Sequence, residues 1–377
     1  MRIVFLTRYD PKDINHWSGT LYYMYQQLKK KHHIEIVGPE LLEQLNLFSN
    51  VSFLKSHVLS DDRYVKTLSR LLLERISILQ CDLIFFGDLF FQPLDANIPY
   101  IYLSDLIYEK VKVHIKPDLR DIDPGIRLEK QLLDASFKII YCSEWIKNSA
   151  VEFYNLSSNK IEVVEFGANI PTPTNYSIRI DMDVCRLVFI GKNWKKKGGD
   201  KVLQAYEKLK TEGFPCSLTI IGSRPEKIPV TDKDLTIIPF LNKEKNEDLI
   251  KLCKILSEAH FLVLPTEFDA YGIVFCEASA YGVPSIATDV GGVRQPIREG
   301  KNGFLLPPDA TGFDYAEKIR TVFSDRESYI KLRVSSRYEF ETRLNWDVWG
   351  EKVNKILRKA VKEWKDQKIN SRNGAPH

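Results

Sequence analysis

Short apolar segments alternate with amphipathic segments along nearly the whole chain, and this alternation restricts the possible folds more than any other feature. The first half contains six apolar segments of strand length, at residues 2–7, 33–38, 82–87, 100–104, 138–143 and 160–167. Helical spacing separates several of them, as in Tyr64, Leu68, Leu71, Leu72, Ile76 and Leu79. Buried strands that alternate with helices are typical of a parallel sheet with helices on both faces.

A segment rich in proline and polar residues, PTPTNYSIRIDMD at 171–183, interrupts this pattern. The pattern then resumes with five further strand-like segments, at residues 186–191, 217–222, 235–240, 261–266 and 284–289. No repeat with a period of about 20–50 residues is visible, which argues against a solenoid. The sequence therefore predicts an α/β fold with two Rossmann-like, doubly wound parallel-sheet domains in series.

These changes in pattern also predict the domain limits. The first domain covers residues 1–172, the linker 173–183, the second domain 184–345, a last amphipathic helix 346–367 and a flexible polar tail 368–377. Ligands of doubly wound folds bind at the carboxyl ends of the strands. We therefore expect the two domains to face an interdomain cleft that holds the ligand.

The charge balance and the cysteines exclude several classes of protein. The chain has 54 basic and 50 acidic residues, so it lacks the basic surplus of a typical nucleic-acid-binding protein. The lysine run at 29–31 is interpreted as a solvated face, with a patch for anionic lipid as the alternative. None of the six cysteines forms a CxxC pair, and most lie in apolar segments, which is typical of reduced thiols in a cytosolic protein.

The sequence contains no predicted membrane span. No apolar run approaches the about 18 residues that cross a bilayer. The first predicted strand begins at Arg2, which argues against a signal peptide. We therefore expect a cytoplasmic protein, with any membrane contact peripheral.

The segment 262–307 carries the richest set of candidate site residues. A predicted strand leads into a loop with Glu267 and Asp269, and Gly272 then opens a predicted helix that contains Glu277. Backbone N–H groups at a helix start bind anions such as a diphosphate. Carboxylates accept paired hydrogen bonds from the vicinal hydroxyls of a ribose or a hexose. The alternative is a loop carboxylate and a charge on a helix surface, with no ligand.

A second candidate site is the loop after the first strand of the second domain. It carries Lys192, Lys196 and Lys197, and Gly198 precedes a predicted helix. Lysines between a strand end and a helix start neutralise phosphate groups. The alternative is that these lysines form a solvated face only.

Two candidate positions lie in the first domain. Ser18 and Gly19 precede the first predicted helix, where a serine cap is the simplest interpretation. Asp105 ends a predicted strand, and it either takes part in function or caps the segment that follows. The lone histidines His16 and His114 are lesser candidates, because a lone histidine is more often structural.

The segment from Asp269 onward resembles the signature of glycosyltransferase family 4, whose members share the GT-B fold and retain the configuration of the transferred sugar. The signature is an acidic residue, seven further residues and a glutamate, and it reads D-AYGIVFC-E-ASAYG here. The resemblance implies that Glu277 holds the nucleotide ribose and that Asp269 contacts the donor sugar, with Glu267 as the rival. It also implies that the diphosphate faces the backbone amides near Tyr271, Gly272 and Ile273.

The lysine loop resembles the same family. The family has a basic residue just after the strand and a Lys-Gly pair before the helix. The resemblance identifies Lys192 as the basic residue after the strand, with Lys196 as the alternative. It identifies Lys197-Gly198 as the Lys-Gly pair before the helix. It therefore implies that these lysines meet the donor diphosphate.

In the first domain, the resemblance implies that Gly19 lies near the donor phosphate and the acceptor. The resemblance also implies that Asp105 lies near the transferred sugar, at a place where many relatives have histidine. The helix 346–367 is expected to cross back to the first domain, as in relatives.

Two positions depart from the family pattern, because Asp269 and Gln295 stand where glutamate is usual.

Other classes of enzyme find less support. Asp-x-Asp pairs, which bind metal in a different glycosyltransferase fold, occur at 121/123, 181/183 and 232/234, and we interpret all three as loop residues. No cysteine and histidine cluster has zinc spacing, and no G-x-S-x-G motif is present. No G-x-G-x-x-G follows the first strand, which argues against a nicotinamide dehydrogenase. The sequence predicts no metal site.

The predicted function is a retaining, metal-independent glycosyltransferase. The resemblance implies a nucleoside diphosphate sugar as donor, a UDP- or GDP-sugar, and no other cofactor. The acceptor is expected to be a glycan or a lipid-linked molecule bound by the first domain, in bacterial cell-surface polysaccharide biosynthesis. The alternative is a catalytically silent sugar-nucleotide-binding or scaffold protein of the same fold.

Overall fold

The computed structural model describes residues 1–44, 62–88, 91–93, 97–115, 123–173, 181–225 and 232–373. The chain forms two compact units. The first unit consists of Met1–Val164 together with Gly350–His377, and the second unit consists of Glu165–Trp349. The first unit is therefore discontinuous in sequence.

The first unit is built on one parallel sheet. Its strands are β1 Arg2–Leu6, β2 His33–Val37, β3 Leu83–Phe86, β4 Tyr100–Ser104, β5 Lys138–Tyr141 and β6 Ile161–Val163. They lie in the order β2-β1-β3-β4-β5-β6. Every residue of β3 and β4 is buried, as expected for inner strands of a sheet with both faces covered.

Helices connect these strands. They are α1 Thr20–Lys29, α2 Pro39–Gln44, α3 Asp62–Ser77, α4 Asp123–Ala135 and α5 Glu144–Tyr154, with shorter helical turns at His16–Gly19, Tyr108–Lys110, Val111–Ile115 and Ser158–Lys160. The residues that flank α5 determine where this helix begins and ends. The Ser143 side chain accepts a hydrogen bond from the Ile146 N–H at the start, and Asn155 adopts a left-handed conformation after the last residue.

The second unit repeats this architecture. Its strands are β7 Cys185–Ile190, β8 Cys216–Ile221, β9 Leu235–Ile238, β10 Phe261–Leu264, β11 Ser285–Thr288 and β12 Gly303–Leu306. They pair in parallel in the order β12-β11-β10-β7-β8-β9. Its helices are α6 Gly199–Thr211, α7 Asn246–Glu258, α8 Ile273–Ala280, α9 Gly312–Ser324 and α10 Arg326–Thr342.

The prediction of two doubly wound parallel sheets is confirmed. Every strand predicted from the sequence is present, with ends that differ by a few residues. The sequence analysis missed β12, because its apolar run is only four residues long. This edge strand has four residues and lies against β11.

Residues 165–172 pack within the second unit, whereas the sequence placed them in the first domain. The Glu165 carboxylate lies 3.3 Å from the Arg343 guanidinium. The indole N–H of Trp346 donates to the Asn169 side chain at 2.9 Å. Composition changes only after residue 170, so it does not reveal these tertiary contacts. Within the predicted linker, residues 174–180 lie outside the described residues.

The last helix, α11 Trp346–Asn373, begins in the second unit and belongs to the first unit from Gly350 onward. Its apolar stripe is buried, with Val353, Leu357 and Ala360 fully inaccessible to solvent. The helix continues beyond residue 367, so residues 368–373 of the predicted flexible tail are helical.

Candidate active site

The candidate site of the second unit is built on two adjacent strands, β7 and β10. Because the strands are parallel, the loops that follow them leave the same edge of the sheet. The two loops are joined by hydrogen bonds. The Glu267 N–H donates to the Lys196 carbonyl at 2.9 Å, and the Thr266 hydroxyl donates to the same carbonyl at 3.2 Å. The sequence motifs around 192–198 and 265–272 are therefore neighbours in space.

The first charged pair in these loops is formed by Lys197 and Asp269. Their Nζ and Oδ2 atoms lie 2.6 Å apart. The side chains are 27% and 18% exposed, so both remain within reach of a ligand from solvent. This pair places one cation and one carboxylate side by side, as a site for a phosphate and a hydroxyl requires.

Gly198 makes this arrangement possible. Its φ is +72°, a conformation that glycine adopts without strain. A Cβ atom at this position would lie 2.0 Å from the carbonyl oxygen of Pro265. Only glycine therefore allows the start of α6 to approach the end of β10 so closely.

The helix α8 begins directly after Gly272, as the sequence predicted. Gly272 has a φ of +88°, and a Cβ atom there would lie 2.4 Å from the ring of Phe275. Ile273 is the first residue of α8, and the first N–H groups of a helix have no partner within the helix. The arrangement can bind an anion through backbone amides.

The Tyr271 side chain is buried and contacts Phe166. Its hydroxyl donates to the carbonyl oxygen of Phe166 at 3.0 Å, and the residue is buried. The two rings also pack edge to face, with centroids 5.4 Å apart. A ligand contact by Tyr271 would therefore use its backbone.

Glu277 lies in α8 with a side chain that is only 3% exposed. Its Oε1 atom lies 2.5 Å from Nζ of Lys243, whose side chain is 24% exposed. The sequence analysis missed Lys243. It follows β9, at the edge of the sheet, and nothing in the sequence relates that loop to α8. The only sequence feature that suggests a functional role for Lys243 is its position in the loop after a predicted strand.

Lys192 and Lys196 take different positions from Lys197. The Lys192 ammonium lies 5.4 Å from the ring centroid of Phe240, and both side chains are exposed. Lys196 is exposed as well, and its backbone N–H donates to the Asn193 side chain at 3.0 Å. Of the three predicted lysines, the structure pairs Lys197 with Asp269.

Gln295, which departs from the family pattern, lies in a buried polar network. Its side-chain amide donates to Glu165 at 3.3 Å. Glu165 also pairs with Arg343, which in turn bonds the carbonyl oxygens of Gln295 and Pro296 at 2.9 and 3.0 Å. A neutral amide at position 295 avoids placing a second carboxylate beside Glu165.

In the first unit, Asp105 and the segment before α1 come together. The indole N–H of Trp17 donates to Oδ2 of Asp105 at 2.9 Å. Trp17, Ser18 and Gly19 have φ values of 50°, 57° and 95°. Positive φ values place Trp17 and Ser18 in the left-handed backbone region, which is strained for residues other than glycine. Such strain is typical of functional segments. Because Gly19 occupies the N-cap position of α1, the simple serine cap is not formed.

The segment after Asp105 is held by a buried carboxylate, Glu129 of α4. Glu129 accepts hydrogen bonds from the Tyr108 N–H at 2.7 Å, the Tyr102 hydroxyl at 3.0 Å and the Tyr154 hydroxyl at 2.5 Å. Burial raises the pKa of Glu129 to about 7, and the three hydrogen bonds oppose this shift. Protonation of Glu129 is thereby coupled to the backbone three residues after Asp105.

Both histidine candidates have structural partners. His16 stacks on Tyr9, with centroids 4.1 Å apart, and its Nε2 atom lies 3.1 Å from Asp13. The His114 ring lies 6.5 Å from that of Trp145, and burial lowers the pKa of His114. These contacts favour the structural interpretation.

The Asp-x-Asp pairs make local contacts. Asp181 accepts from Arg186 at 2.8 Å, and Asp232 accepts from the Tyr206 hydroxyl at 2.5 Å, both in loops as predicted. The interpretation of Asp123 as a loop residue was wrong, because it is the first residue of α4. Residue 121 lies outside the described residues.

Across the ranges that the structure describes, no helix is both long enough and apolar enough to span a bilayer. Within the same ranges, four of the six cysteines are buried, Cys81 and Cys253 are partly exposed, and all six are free thiols.

Residues 177–339 match the family model described as glycosyl transferases group 1. The matched segment contains both loops of the candidate site in the second unit.

Curated relatives of this chain are named as glycosyltransferases. A D-inositol 3-phosphate glycosyltransferase of Gordonia bronchialis is 23% identical over 245 residues, which cover 60% of this chain and 53% of the relative. The capsular polysaccharide biosynthesis glycosyltransferase CapM of Staphylococcus aureus is 24% identical over 63% of this chain and 65% of CapM. The chain spans about half to two thirds of the length of these relatives. These relatives, like the matched family model, are described as glycosyltransferases.

Solved structures share the whole fold. A sucrose-phosphate synthase of Thermosynechococcus elongatus superposes with a TM-score of 0.66 at 14% identity, over 96% of this chain and 99% of the synthase. Anabaena Alr3699/HepE in complex with UDP superposes with a TM-score of 0.65 at 13% identity, over 95% of this chain and 100% of HepE. With the two six-stranded parallel sheets, these likenesses establish the GT-B fold.

Proposed function

We propose that this chain transfers a sugar from a nucleoside diphosphate sugar to a glycan or lipid-linked acceptor. The observation that carries the proposal is the Lys197–Asp269 pair, held between the start of α6 and the loop before α8. It combines a cation, a carboxylate and helix starts at one sheet edge. This edge lies in the segment that matches the group 1 glycosyltransferase model.

The donor contacts follow from the chemistry of each group. The ammonium of Lys197 and the first amides of α8, at Gly272 and Ile273, supply positive charge for a diphosphate. The carboxylate of Glu277 accepts hydrogen bonds from ribose hydroxyls. HepE has been solved with UDP and with UDP-glucose, and its fold is the same, so a UDP-sugar is the first donor to test.

Catalysis in this proposal is electrostatic. As the bond between the sugar and the diphosphate breaks, negative charge grows on the leaving oxygen. Lys197 and the helix starts stabilise that charge where it develops, which lowers the barrier. Because these groups already supply positive charge, we propose that the reaction needs no metal. Asp269 orients the sugar by accepting hydrogen bonds from its hydroxyls, in preference to the exposed Glu267, and the transfer retains configuration.

The first unit supplies the acceptor contacts in this proposal. Asp105, Trp17 and Gly19 lie together there, and the backbone around Gly19 is strained. CapM, by its name, acts in capsular polysaccharide biosynthesis, and we propose a role in bacterial surface polysaccharide biosynthesis for this chain as well.

The test is a titration of the purified protein with UDP-, GDP-, ADP- and dTDP-sugars, with and without EDTA. Melting temperature reports binding, and release of free sugar reports slow hydrolysis of the donor. We expect stabilisation and hydrolysis with one nucleotide, both unchanged by EDTA. Stabilisation without hydrolysis or transfer would favour a catalytically silent sugar-nucleotide-binding protein. A cooperative melt with no response to any nucleotide would refute the donor site.

A further inference from the structure

The ion pair between Lys243 and Glu277 adds a residue to the donor site that no sequence motif marks. The two charged atoms lie 2.5 Å apart, and the Glu277 side chain is almost completely buried. A buried carboxylate without a counter-ion is costly, because burial removes its hydration. Lys243 is the counter-ion of this buried carboxylate.

The loop that carries Lys243 is itself fixed. The Asn242 N–H donates to the Asp248 carboxylate in the first turn of α7 at 2.9 Å. The side-chain oxygen of Asn242 accepts a hydrogen bond from the Glu244 N–H at 3.0 Å. The backbone carbonyl of Asn242 accepts one from the Lys245 N–H at 3.0 Å. These bonds hold the backbone on both sides of Lys243. The ammonium is therefore presented to Glu277 by an ordered loop.

The geometry leaves part of the carboxylate for a ligand. Lys243 binds Oε1 of Glu277, and among the described residues the structure gives Oε2 no hydrogen-bond partner. A carboxylate has about four acceptor positions on its two oxygens. One oxygen can stay bound to the lysine while the other accepts a hydroxyl.

We propose that Lys243 is a positioning residue that fixes the Glu277 carboxylate for recognition of the ribose of the donor nucleotide. This inference rests on the proposed function, in which Glu277 binds the ribose. It predicts that Lys243 governs how strongly the site prefers a ribonucleotide to its 2′-deoxy analogue. It acts on binding of the nucleoside and leaves the chemical step unchanged.

Calorimetric titration of UDP and of 2′-deoxy-UDP tests this. If the nucleotide panel selects guanine, GDP and 2′-deoxy-GDP replace them. Lys243→Met removes the charge and keeps the length of the side chain. We expect the preference of the wild type for the ribonucleotide to fall by about tenfold, the size of one hydrogen bond to a charged group. Donor KM should rise by a similar factor, with kcat within about twofold.

Two variants provide the controls. Lys243→Arg keeps the positive charge and should restore most of the ribose preference. Lys245→Met removes the same charge from the same loop at an exposed position and should behave like the wild type. If Lys243→Met does not melt cooperatively, Lys243→Gln is measured in its place.

The outcomes separate the two claims. A wild type that binds no nucleotide refutes the proposed function, and the inference falls with it. A wild type that prefers the ribonucleotide, with the same preference in Lys243→Met, overturns the inference alone. Tighter ribonucleotide binding in Lys243→Met would also overturn it, since the lysine would then compete with the ribose for Glu277.

Discussion

The ammonium of Lys197 lies 2.6 Å from the carboxylate of Asp269, although 72 residues separate them in sequence. In Lys197→Met we expect kcat to fall about 100- to 1000-fold, because a group that stabilises the leaving diphosphate is lost. The melting temperature should change little, since a partly exposed ion pair contributes about 0–1 kcal/mol. Donor hydrolysis and a thermal melt measure the two effects.

Lys201→Met is the control for this variant, because Lys201 lies in α6, the helix that follows the lysine loop, and its ammonium donates to the exposed carbonyl of Pro308. It should keep wild-type activity. Full activity in Lys197→Met would contradict the electrostatic role of Lys197.

Gly198 and Gly213 share a φ of +72°, but only Gly198 is crowded. A Cβ atom at Gly198 would lie 2.0 Å from the Pro265 carbonyl, whereas nothing lies within 4 Å at Gly213. Gly213→Ala should therefore cost only the backbone strain, about 1–2 kcal/mol. Gly198→Ala should cost more and also weaken nucleotide binding, because the lysine loop must move. Denaturant unfolding and nucleotide titration compare the pair, and equal losses of stability would show that the close approach is unimportant.

The Trp17–Asp105 hydrogen bond gives a prediction for the first unit. Trp17→Phe keeps an aromatic ring and removes the indole donor, so the Asp105 carboxylate loses a partner at 2.9 Å. If Asp105 acts near the transferred sugar, hydrolysis of the donor should fall roughly tenfold, the size of a charged hydrogen bond. Nucleotide affinity should stay within about twofold.

Trp364→Phe is the matched control, since Trp364 packs against Phe137 in the same unit. It should leave hydrolysis unchanged. A Trp17→Phe variant with wild-type hydrolysis would assign Trp17 a structural role only.

Glu129 predicts a dependence of stability on pH. Its pKa is raised from 4.5 to about 7 by burial, so the folded state keeps a proton that the unfolded chain releases above about pH 4.5. This contribution to stability is complete below the unfolded pKa and is lost as pH rises through the folded pKa of about 7, which corresponds to roughly 3 kcal/mol. Melting temperatures between pH 5 and 8 should decline less steeply in Glu129→Gln than in the wild type.

The exposed Glu152→Gln in α5 serves as the control for Glu129→Gln and should follow the wild type. Parallel curves for the wild type and Glu129→Gln would mean that Glu129 does not titrate in this range.

The sequence was sufficient for every strand except β12 and for the two glycines that open helices. Apolar runs as long as β7 and β10 have few alternatives to a buried parallel strand. Gly198 could be located because it stands between a strand and an amphipathic segment, and Gly272 because it stands between a strand and a run of small and apolar residues. Local pattern therefore predicts local structure, and with it the places where loops leave the sheet.

The pairing of side chains could not be predicted in the same way. Lys197 and Lys243 lie in loops that resemble any lysine-rich surface, and their partners are 72 and 34 residues away. Each pairing depends on the strand order, which brings β10 beside β7 and leaves β9 at the edge. The same reason explains the missed contacts of residues 165–172, which depend on the loop before α8, on the residue after α10 and on the start of α11.

The split first unit has a consequence for how the chain folds during synthesis. Residues 350–373 of α11 are made after the whole second unit, yet Val353, Leu357 and Ala360 are fully buried in the first unit. The apolar surface that they cover is therefore exposed while about half of the polypeptide is still being translated. The second unit is continuous in sequence and can fold while residues 350–373 of α11 are still in the ribosomal exit tunnel. The first unit is thus begun first and completed last. A translational pause before residue 350 would prolong the exposure of its uncovered apolar surface to chaperones and proteases.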